Sequence, residues 1–263
     1  MNLKLEGKRA FISGSTQGIG YAIAQQLVAE KAEVIINGRN EEKTKLAVQK
    51  LQSEFPDAKI SGIKADFGKK DEVTNLLNQL NDIDILINNV GIFDLKNFED
   101  IEEEDWYKIF EINVLSSIRL SKKLLPQMLE KKTGRIIFIS SESGVNIPGN
   151  MIHYGMTKAA MTAVSNGLSK LTIGTEVTVN TILGGPTYSD GVASTIEQIA
   201  SMQNIETEQM KNIIMQQTNP HSLLQRFINP NEIASLAVYL SSPLAVATNG
   251  SSLRADGGVL KTI

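Results

Sequence analysis

The stretch "FISGSTQGIG", residues 11–20, joins a short apolar run to three glycines at positions 14, 18 and 20. Glycines at such a junction let the backbone turn tightly and approach a phosphate, and the first N–H groups of the helix that follows attract anions. The stretch therefore predicts a strand, a turn and a helix around a dinucleotide pyrophosphate. The spacing differs from the usual G-x-G-x-x-G, and the alternative is a glycine-rich turn without a ligand.

Short runs rich in Ile and Val alternate with longer amphipathic runs along the chain. This alternation predicts a parallel sheet with helices on both faces. The predicted strands are 9–13, 33–37, 59–65, 84–88, 135–140, 177–183 and 251–255. The clearest predicted helices are 18–31, 41–55 and 103–131, the last of which contains Pro126 and is expected to bend or end early there.

Nothing in the sequence divides the chain into parts, since no linker and no internal repeat interrupts it. We therefore expect one domain over residues 1–263. The polar, helical segment 187–230 lies between the last two predicted strands, and an insertion at that place predicts a lid over a site.

The composition excludes several classes of function. The net charge of −3, with no basic stripe, argues against a nucleic-acid partner. The chain has no cysteine, and its two histidines, His153 and His221, are far apart, so we expect no metal site. No apolar run is long enough to span a membrane, and no secretory leader is present, so we expect a soluble cytoplasmic protein.

The end of the second predicted strand bears on the choice of dinucleotide. About 20 residues after the last glycine of the loop, an NAD site places a carboxylate on the ribose hydroxyls. This chain has "INGRN" there, with Gly38 followed by Arg39. A guanidinium can bind a 2′-phosphate through two hydrogen bonds. The sequence thus favours NADP(H) over NAD(H); the alternative is an ordinary surface arginine.

Residues 141–158, "SESGVNIPGNMIHYGMTK", end in a tyrosine and a lysine four positions apart. Residues at i and i+4 share one helix face, with Cβ atoms about 5–6 Å apart. A phenol has a pKa of about 10, and a fixed ammonium lowers it by favouring the phenolate. Tyr154 and Lys158 are therefore predicted to form an acid–base pair. The alternative is a solvated helix start without chemistry.

Polar or glycine residues follow several of the predicted strands at their carboxyl ends. Asp66, Asn88 and Ser141 each close one strand, Gly91 follows Asn88 by three residues, and Gly14 follows a fourth strand. Ligands of parallel α/β sheets gather at this edge, where a hydroxyl can hydrogen-bond a substrate carbonyl. We therefore expect these residues to share one site.

These stretches resemble the short-chain dehydrogenases/reductases, and in particular their NADP-dependent 3-oxoacyl reductase-like members. "SGSTQGIG" is similar to the family's TGxxxGxG, and "NNVG" at 88–91 is similar to its NNAG. The resemblance extends over about residues 5–258. The family's catalytic residues match Asn113, Ser141, Tyr154 and Lys158.

The resemblance implies a three-layer α/β/α extended Rossmann fold with a doubly wound parallel seven-stranded sheet in the order 3-2-1-4-5-6-7. It implies that Tyr154 is the general acid/base, that Ser141 polarises the carbonyl, and that Asn113 holds a water. Lys158 would bind the nicotinamide ribose and lower the tyrosine pKa. The implied cofactor contacts are Gly14, Ser15, Gly18, Ile19, Gly20, Arg39, Asp66, Phe67, Asn88, Gly91, Tyr154, Lys158, Gly185, Thr187 and Ser189. The resemblance also implies a homotetramer or homodimer, with contacts near residues 103–130 and 154–172.

The activity that follows is hydride transfer between NADP(H) and a carbonyl or alcohol substrate. The alternative is an NADP(H)-binding redox sensor or scaffold without turnover, although such a protein would be expected to lack Tyr154 or Lys158. An epimerase or dehydratase is less favoured because such relatives carry a different glycine loop and a longer substrate domain. The apolar residues of 187–230 are expected to pack on the body, and the alternative is a flexible pocket for an aliphatic or acyl substrate.

Overall fold

The computed structural model describes residues 2–261. Seven parallel strands form one sheet in the order β3-β2-β1-β4-β5-β6-β7, which confirms the predicted fold class. Every predicted strand is found within two residues of its predicted limits. The strands are β1 (Arg9–Ile12), β2 (Glu33–Gly38), β3 (Ile60–Lys64), β4 (Ile85–Asn88), β5 (Thr133–Ser141), β6 (Glu176–Gly184) and β7 (Ser252–Ala255).

Helices cover both faces of the sheet and bury two separate apolar layers. One layer packs α1, α2 and α9 against the sheet, and the other packs α3, α5 and α6. The helices are α1 (Gly18–Ala29), α2 (Glu41–Glu54), α3 (Lys70–Gln79), α4 (Glu103–Phe110), α5 (Ser116–Glu130), α6 (Ile152–Ser169), α7 (Asp190–Met202), α8 (Thr207–Thr218) and α9 (Pro230–Ser241). Within residues 2–261, no helix combines the length and the apolar character that a membrane span requires.

The register of the strands sets the relative height of the site residues. Ile12 of β1 pairs with Ile87 of β4, so the glycine turn begins level with the end of β4. Asn88, the last residue of β4, pairs with Phe138. Because β5 continues for three more residues to Ser141, that serine lies above the edge formed by the shorter strands.

The long helix predicted over 103–131 is interrupted, but not where the sequence suggested. Its regular pattern changes to a π turn at Glu111–Leu115, and α5 then runs through Pro126 to Glu130. The helix therefore does not end at Pro126, as one of the two expected outcomes required. Pro126 and Lys122, whose carbonyl loses its partner, both lie on the exposed face, where water can hydrogen-bond that carbonyl.

Helices α7 and α8 bury their apolar residues mainly against each other. Ile196 and Ala200 of α7 pack with Met210 of α8 in a small cluster of their own. Met202 and Leu223, which the sequence assigned to the buried faces, are 83% and 86% exposed. Met202 lies at the end of α7 off the buried stripe, and Leu223 lies in the loop beyond α8.

Candidate functional site

The glycine turn between β1 and α1 is held by side-chain amides from neighbouring strands. Asn37, at the end of β2, accepts the N–H of Gly14 at 3.0 Å and donates to two carbonyls of the β3 segment. Asn89, just after β4, donates to the carbonyls of Ser13 and Gly14 at 3.0 and 2.7 Å. These bonds hold the turn without a ligand. Neither asparagine was predicted from the sequence to have this role.

All three glycines are required by the backbone. Gly14 and Gly18 each have φ of +60°, a conformation that side-chain-bearing residues adopt with strain. A Cβ at Gly20 would lie 2.5 Å from Nδ2 of Asn89 and 2.6 Å from the carbonyl oxygen of Gly14. The turn therefore brings α1 close to the end of β1. Ser15 lies in this turn, but its hydroxyl donates to the carbonyl of Ile12 at 2.7 Å.

A cavity of about 490 Å³ extends from the glycine turn across the ends of β2, β3 and β4. Arg39, Asp66, Phe67 and Gly91 line it, as the resemblance implied. Lys43, in the first turn of α2, lines the same cavity and was not singled out from the sequence. Among residues 2–261, Arg39 forms no ion pair and no side-chain hydrogen bond, so its guanidinium is available to an anion. The cavity thus has a cationic rim at one end.

The side chain of Asn88, one of the implied cofactor contacts, is 1% exposed and donates to Ser121 of α5 at 3.3 Å. The cavity is lined near the end of β4 by Val90 and Gly91. The cofactor contact implied for Asn88 therefore stays a prediction, and its side chain serves the packing of α5 against β4.

The segment after β6 lies opposite the glycine turn. Thr187 donates its hydroxyl to the carbonyl of Gly185 at 2.8 Å, and Ser189 is the residue before the first turn of α7. Asp190 Oδ2 accepts the N–H of Gly18 at 2.6 Å, which joins α7 to the N-terminus of α1. The predicted contacts at 185–189 therefore face the predicted contacts at 14–20 across the groove. Ile19, beside Gly18, packs its side chain onto the sheet layer below.

Ser141, Tyr154 and Lys158 meet where β5 ends and α6 begins. Lys158 Nζ lies 5.5 Å from the centroid of the Tyr154 ring and donates to the carbonyl of Ile139 at 3.0 Å. The Ser141 hydroxyl lies within hydrogen-bonding reach of Tyr154 and acts to lower the pKa of its phenol. The helix start thus places the tyrosine between the serine and the lysine, as the four-residue spacing predicted.

Asn113 lies in the π turn and reaches toward the same cluster. Its amide accepts the N–H of Ile92 at 2.8 Å and donates to the carbonyl of Ile92 and to the hydroxyl of Thr157. A Cβ added at Gly91 would lie 3.5 Å from Lys158 Nζ and 3.6 Å from Asn113 Oδ1. π turns often occur where a helix presents a functional side chain. The contacts show Asn113 holding the loop at 91–92 against α6.

The electrostatics of the cluster differ from the expectation based on the Tyr154–Lys158 spacing. Burial raises the pKa of Tyr154 well above its ordinary value, Glu142 raises it further, and Ser141 acts in the opposite direction. Lys158 is not among the groups that shift this pKa, and burial lowers the pKa of Lys158 itself to about 8 against the attraction of Glu142. The lowering of the tyrosine pKa by Lys158 therefore stays a prediction for the enzyme with bound cofactor. Tyr154 is a neutral phenol at pH 7 and can donate a proton.

Glu142 is the ionisable residue of the cluster that sequence reasoning missed. Its Oε2 accepts the hydroxyl of Ser141 at 2.5 Å, and its Oε1 accepts that of Ser143 at 3.3 Å. Burial raises the pKa of the Glu142 carboxyl, and the serine hydrogen bonds oppose that shift. The sequence feature that could have indicated Glu142 is its position directly after Ser141, at the end of a predicted strand.

The groove meets the requirements of a dinucleotide. The glycine turn has no side chain at the closest approach, and the cavity beyond it ends at Arg39, which forms no ion pair with any residue of 2–261. The cluster of Ser141, Tyr154 and Lys158 lies at the end of β5 on the same edge of the sheet. A half-buried phenol beside a buried hydroxyl and ammonium has the groups needed to deliver a proton to a carbonyl oxygen.

Comparison with known proteins gives consistent matches over the whole chain. The family model of short chain dehydrogenase matches residues 8–200. YvaG, an uncharacterized oxidoreductase of Bacillus subtilis (strain 168), is 40% identical over 263 residues and covers 100% of both chains. A D-beta-hydroxybutyrate dehydrogenase of Cupriavidus necator is 31% identical over 258 residues, covering 97% of this chain and 98% of its own.

Solved structures agree with these sequence matches. The crystal structure of L-sorbose reductase from Gluconobacter frateurii, complexed with NADPH and L-sorbose, has a TM-score of 0.93 to this chain. The two chains are 27% identical, and the match covers 100% of each. This chain is an oxidoreductase that belongs to the short-chain dehydrogenase family, an enzyme that binds a nicotinamide cofactor and acts on small molecules.

Proposed function

We propose that this enzyme reduces a carbonyl substrate with NADPH, or oxidises the corresponding alcohol with NADP⁺, and that Tyr154 is the general acid/base. The observation that carries the proposal is the placement of the Tyr154 ring between Ser141 and Lys158 at the carboxyl end of β5. The nicotinamide supplies the hydride when the cofactor is bound. All other steps belong to side chains of this chain.

The role of each side chain follows from its surroundings. Tyr154 is neutral at pH 7, because burial raises its pKa, and it donates its proton to the carbonyl oxygen as negative charge develops there. Ser141 stabilises the same oxygen by a hydrogen bond. Lys158 provides the buried positive charge beside the phenolate that remains. Asn113 holds the loop at 91–92 in place and is proposed to position a water that returns a proton to the tyrosine.

The raised pKa of Tyr154 favours the reductive direction. A general acid must be protonated before it can donate, and this phenol is protonated throughout the neutral range. Oxidation of an alcohol would require the phenolate, which the buried site disfavours. We therefore expect reduction to be faster than oxidation at pH 7.

The cationic rim of the nucleotide cavity supports NADP(H) as the preferred cofactor. Arg39 lacks a protein partner among residues 2–261, and Lys43 lines the same cavity. No carboxylate occupies the residue after Gly38, where one would repel a 2′-phosphate. L-sorbose reductase, which shares the fold of this chain, binds NADPH.

The segment 187–230 is proposed to act as a lid that covers the substrate. Its helices α7 and α8 have a small apolar cluster of their own, and Asp190 at the start of α7 contacts the glycine turn. A unit that packs mainly on itself can move without opening the main core. We also propose that residues 1–263 form a single domain. We also propose a homodimer or homotetramer, because Tyr107 of α4 and Leu171 after α6 are exposed in the two regions expected to make contacts.

The test is a substrate panel with the Tyr154→Phe variant. Purified enzyme is given ketones, aldehydes, sugars and 3-oxoacyl thioesters with NADPH or NADH, and the nicotinamide absorbance is followed. Tyr154→Phe is expected to lower turnover by about 100- to 10,000-fold, the usual contribution of a general acid, while cofactor affinity is kept.

Full activity of the phenylalanine variant would remove Tyr154 as the acid/base. Cofactor binding without turnover of any panel member by the wild type would favour the redox-sensor alternative. Light scattering after size exclusion measures the oligomeric state, and a monomer would contradict the proposed assembly.

A further inference from the structure

Glu142 lies inside the catalytic cluster, and the proposed reaction leaves its carboxylate without a role. Glu142 is half-buried, and its carboxylate interacts electrostatically with both Tyr154 and Lys158. In the part of the chain that the structure describes, no basic side chain forms an ion pair with it. Burying a carboxylate is unfavourable unless hydrogen-bond donors surround it, so its presence beside the reacting groups calls for a function.

The hydrogen bonds around Ser141 show what the carboxylate does to its neighbour. Ser141 has one proton, and it is donated to Glu142 at 2.5 Å. The serine oxygen also accepts the N–H of Ser143 at 3.1 Å. While this arrangement lasts, Ser141 has no hydrogen to donate to a substrate carbonyl. Productive binding therefore needs a second donor that satisfies Glu142 and releases the serine proton.

We propose that Glu142 determines substrate specificity, by accepting a hydrogen bond from a hydroxyl group on the carbon next to the reacting carbonyl. The inference rests on the proposed carbonyl reduction. It assigns the substrates to the α-hydroxy ketones and α-hydroxy aldehydes, and their reduced forms to the vicinal diols. The substrate hydroxyl binds Glu142, and Ser141 turns its proton to the carbonyl oxygen.

The geometry of such substrates fits the spacing of the two side chains. The two oxygens of an α-hydroxy carbonyl are about as far apart as two hydrogen-bonded oxygens, which is the separation of Ser141 Oγ and Glu142 Oε2. A substrate can therefore place one oxygen on each group at once. No additional bond is made or broken by Glu142: the carbonyl carbon gains hydride from NADPH, the oxygen gains the Tyr154 proton, and a vicinal diol and NADP⁺ result.

Other substrate groups satisfy the site less well. A substrate carboxylate would be repelled by Glu142, and an ammonium, although attracted by Glu142, would add a second positive charge beside the buried Lys158. An alkyl group would leave the carboxylate competing for the Ser141 proton. A neutral hydroxyl is the group that supplies a donor without adding charge.

Three matched ketones test the proposal in the full enzyme. Hydroxyacetone carries the donor, 2-butanone replaces its hydroxyl by methyl, and methoxyacetone keeps the electron-withdrawing oxygen without the O–H. The wild type is expected to prefer hydroxyacetone over methoxyacetone in kcat/KM by about 10- to 100-fold, the effect of one hydrogen bond to a charged group. In Glu142→Gln and Glu142→Val this ratio should fall toward one, and the preference for hydroxyacetone over 2-butanone should fall with it.

Controls separate this role from a structural one. Thermal unfolding shows whether each variant is folded, and Glu176→Gln, at the opposite end of β6, should leave the ratio unchanged. Equal kcat/KM for hydroxyacetone and methoxyacetone, or an unaltered preference in Glu142→Gln, overturns the role of Glu142 and leaves carbonyl reduction intact.

A binding measurement tests the hydrogen bond between the substrate hydroxyl and Glu142 independently of turnover. Hydroxyacetone and methoxyacetone are titrated calorimetrically into Tyr154→Phe enzyme saturated with NADPH. Tighter binding of hydroxyacetone that disappears in the Tyr154→Phe, Glu142→Gln double variant supports the role of Glu142, even if the proposed proton transfer fails. Equal binding of both ketones overturns it.

Discussion

The nucleotide end and the catalytic end of the groove are built from different kinds of buried polar groups. At the nucleotide end the buried and half-buried groups are neutral: Asn37 and Asn89 use their amides to hold backbone atoms of the glycine turn. At the catalytic end they are ionisable: Lys158 is buried, Glu142 and Tyr154 are half-buried, and burial shifts the pKa of each.

This difference separates stability from activity along one groove. Paired neutral amides stabilise the fold and position the cofactor at the same time. Buried ionisable groups oppose folding, because the charged form loses its hydration, and they are useful because their protonation can change. Variants at the nucleotide end should therefore lose stability and activity together, whereas variants at the catalytic end should lose activity and gain stability.

The largest expected effect is that of Lys158→Met. Turnover should fall by about 100- to 10,000-fold, in the range for loss of an acid–base function. The free energy of unfolding at pH 7 should rise by about 1–2 kcal/mol, since relief from burying the ammonium exceeds the lost hydrogen bond to Ile139.

The pH dependence of Lys158→Met follows from the lowered pKa of the lysine. Lys158 titrates at about 8 when folded, and an unfolded lysine titrates at about 10.4. Below pH 8 both states hold the proton, and the burial penalty is complete. Between about pH 8 and 10.4 the folded wild type has lost its proton and the unfolded chain has not, so wild-type stability rises with pH. Urea unfolding should show that the Lys158→Met variant exceeds the wild type in free energy of unfolding by less at pH 9.5 than at pH 7. A variant that is less stable than the wild type at pH 7 would contradict the proposed difference between the two ends of the groove.

Gly20→Ala tests the nucleotide end. The new Cβ would meet a backbone oxygen and Asn89 Nδ2 at 2.6 and 2.5 Å, so the turn must shift. We expect a loss of about 1–3 kcal/mol of stability and about 100-fold in kcat/KM. Gly167→Ala, in α6, is the matched control, because nothing lies within 4 Å of its added Cβ. That control should gain about 0.5–1 kcal/mol from helix propensity. A Gly20→Ala enzyme with intact cofactor affinity would disprove the close approach.

Arg39→Ala sharpens the contrast, because it should change cofactor affinity without changing stability. The KM for NADPH should rise by about 10- to 100-fold, as expected for loss of a charge-assisted phosphate contact, and the KM for NADH should stay the same. The melting temperature should be unchanged, because Arg39 is exposed and makes no protein contact among residues 2–261. Lys43→Ala should give a smaller effect in the same direction. A clear preference for NADH in the wild type, unaffected by Arg39→Ala, would refute the NADP(H) assignment.

The smallest expected effect is that of Asp190→Asn. The Asp190 carboxylate accepts the Gly18 N–H at the start of α1, close to where a pyrophosphate would bind. Removing its charge should strengthen cofactor binding by about 2- to 5-fold and weaken the helix by less than about 1 kcal/mol. Fluorescence titration with NADPH measures the affinity. Weaker binding by the asparagine variant would show that the carboxylate helps the cofactor rather than competing with it.

The nucleotide end could be predicted from the sequence more completely than the catalytic end. The strands were found because buried parallel strands are continuous runs such as "EVIIN", and the glycine turn was found because its spacing reflects backbone geometry. The hydrogen bond of Asn88 to Ser121 could not be predicted, because a strand-end rule does not say which face a side chain takes. Lys43 was missed because a lysine in an exposed helix turn carries no pattern of its own.

At the catalytic end the proximity of the side chains could be predicted from the sequence, but their protonation could not. The four-residue spacing of Tyr154 and Lys158 predicted their proximity correctly, whereas the sign of the tyrosine shift depended on burial and on Glu142. Both are tertiary effects of residues from different elements. Pro126 was misjudged for a similar reason, since the exposure of Lys122 decides whether the lost helix bond matters.

The π turn at Glu111–Leu115 has a consequence for how this region tolerates insertions and deletions. A π turn holds one residue more than an α turn, so removing one residue here would restore the regular α-helical pattern and leave α4 and α5 in nearly the same relative orientation. Asn113, however, would no longer be held in the wide turn that lets it face Ile92 and Thr157. A single-residue deletion here should therefore spare the packing of α4 and α5 and remove the Asn113 contacts.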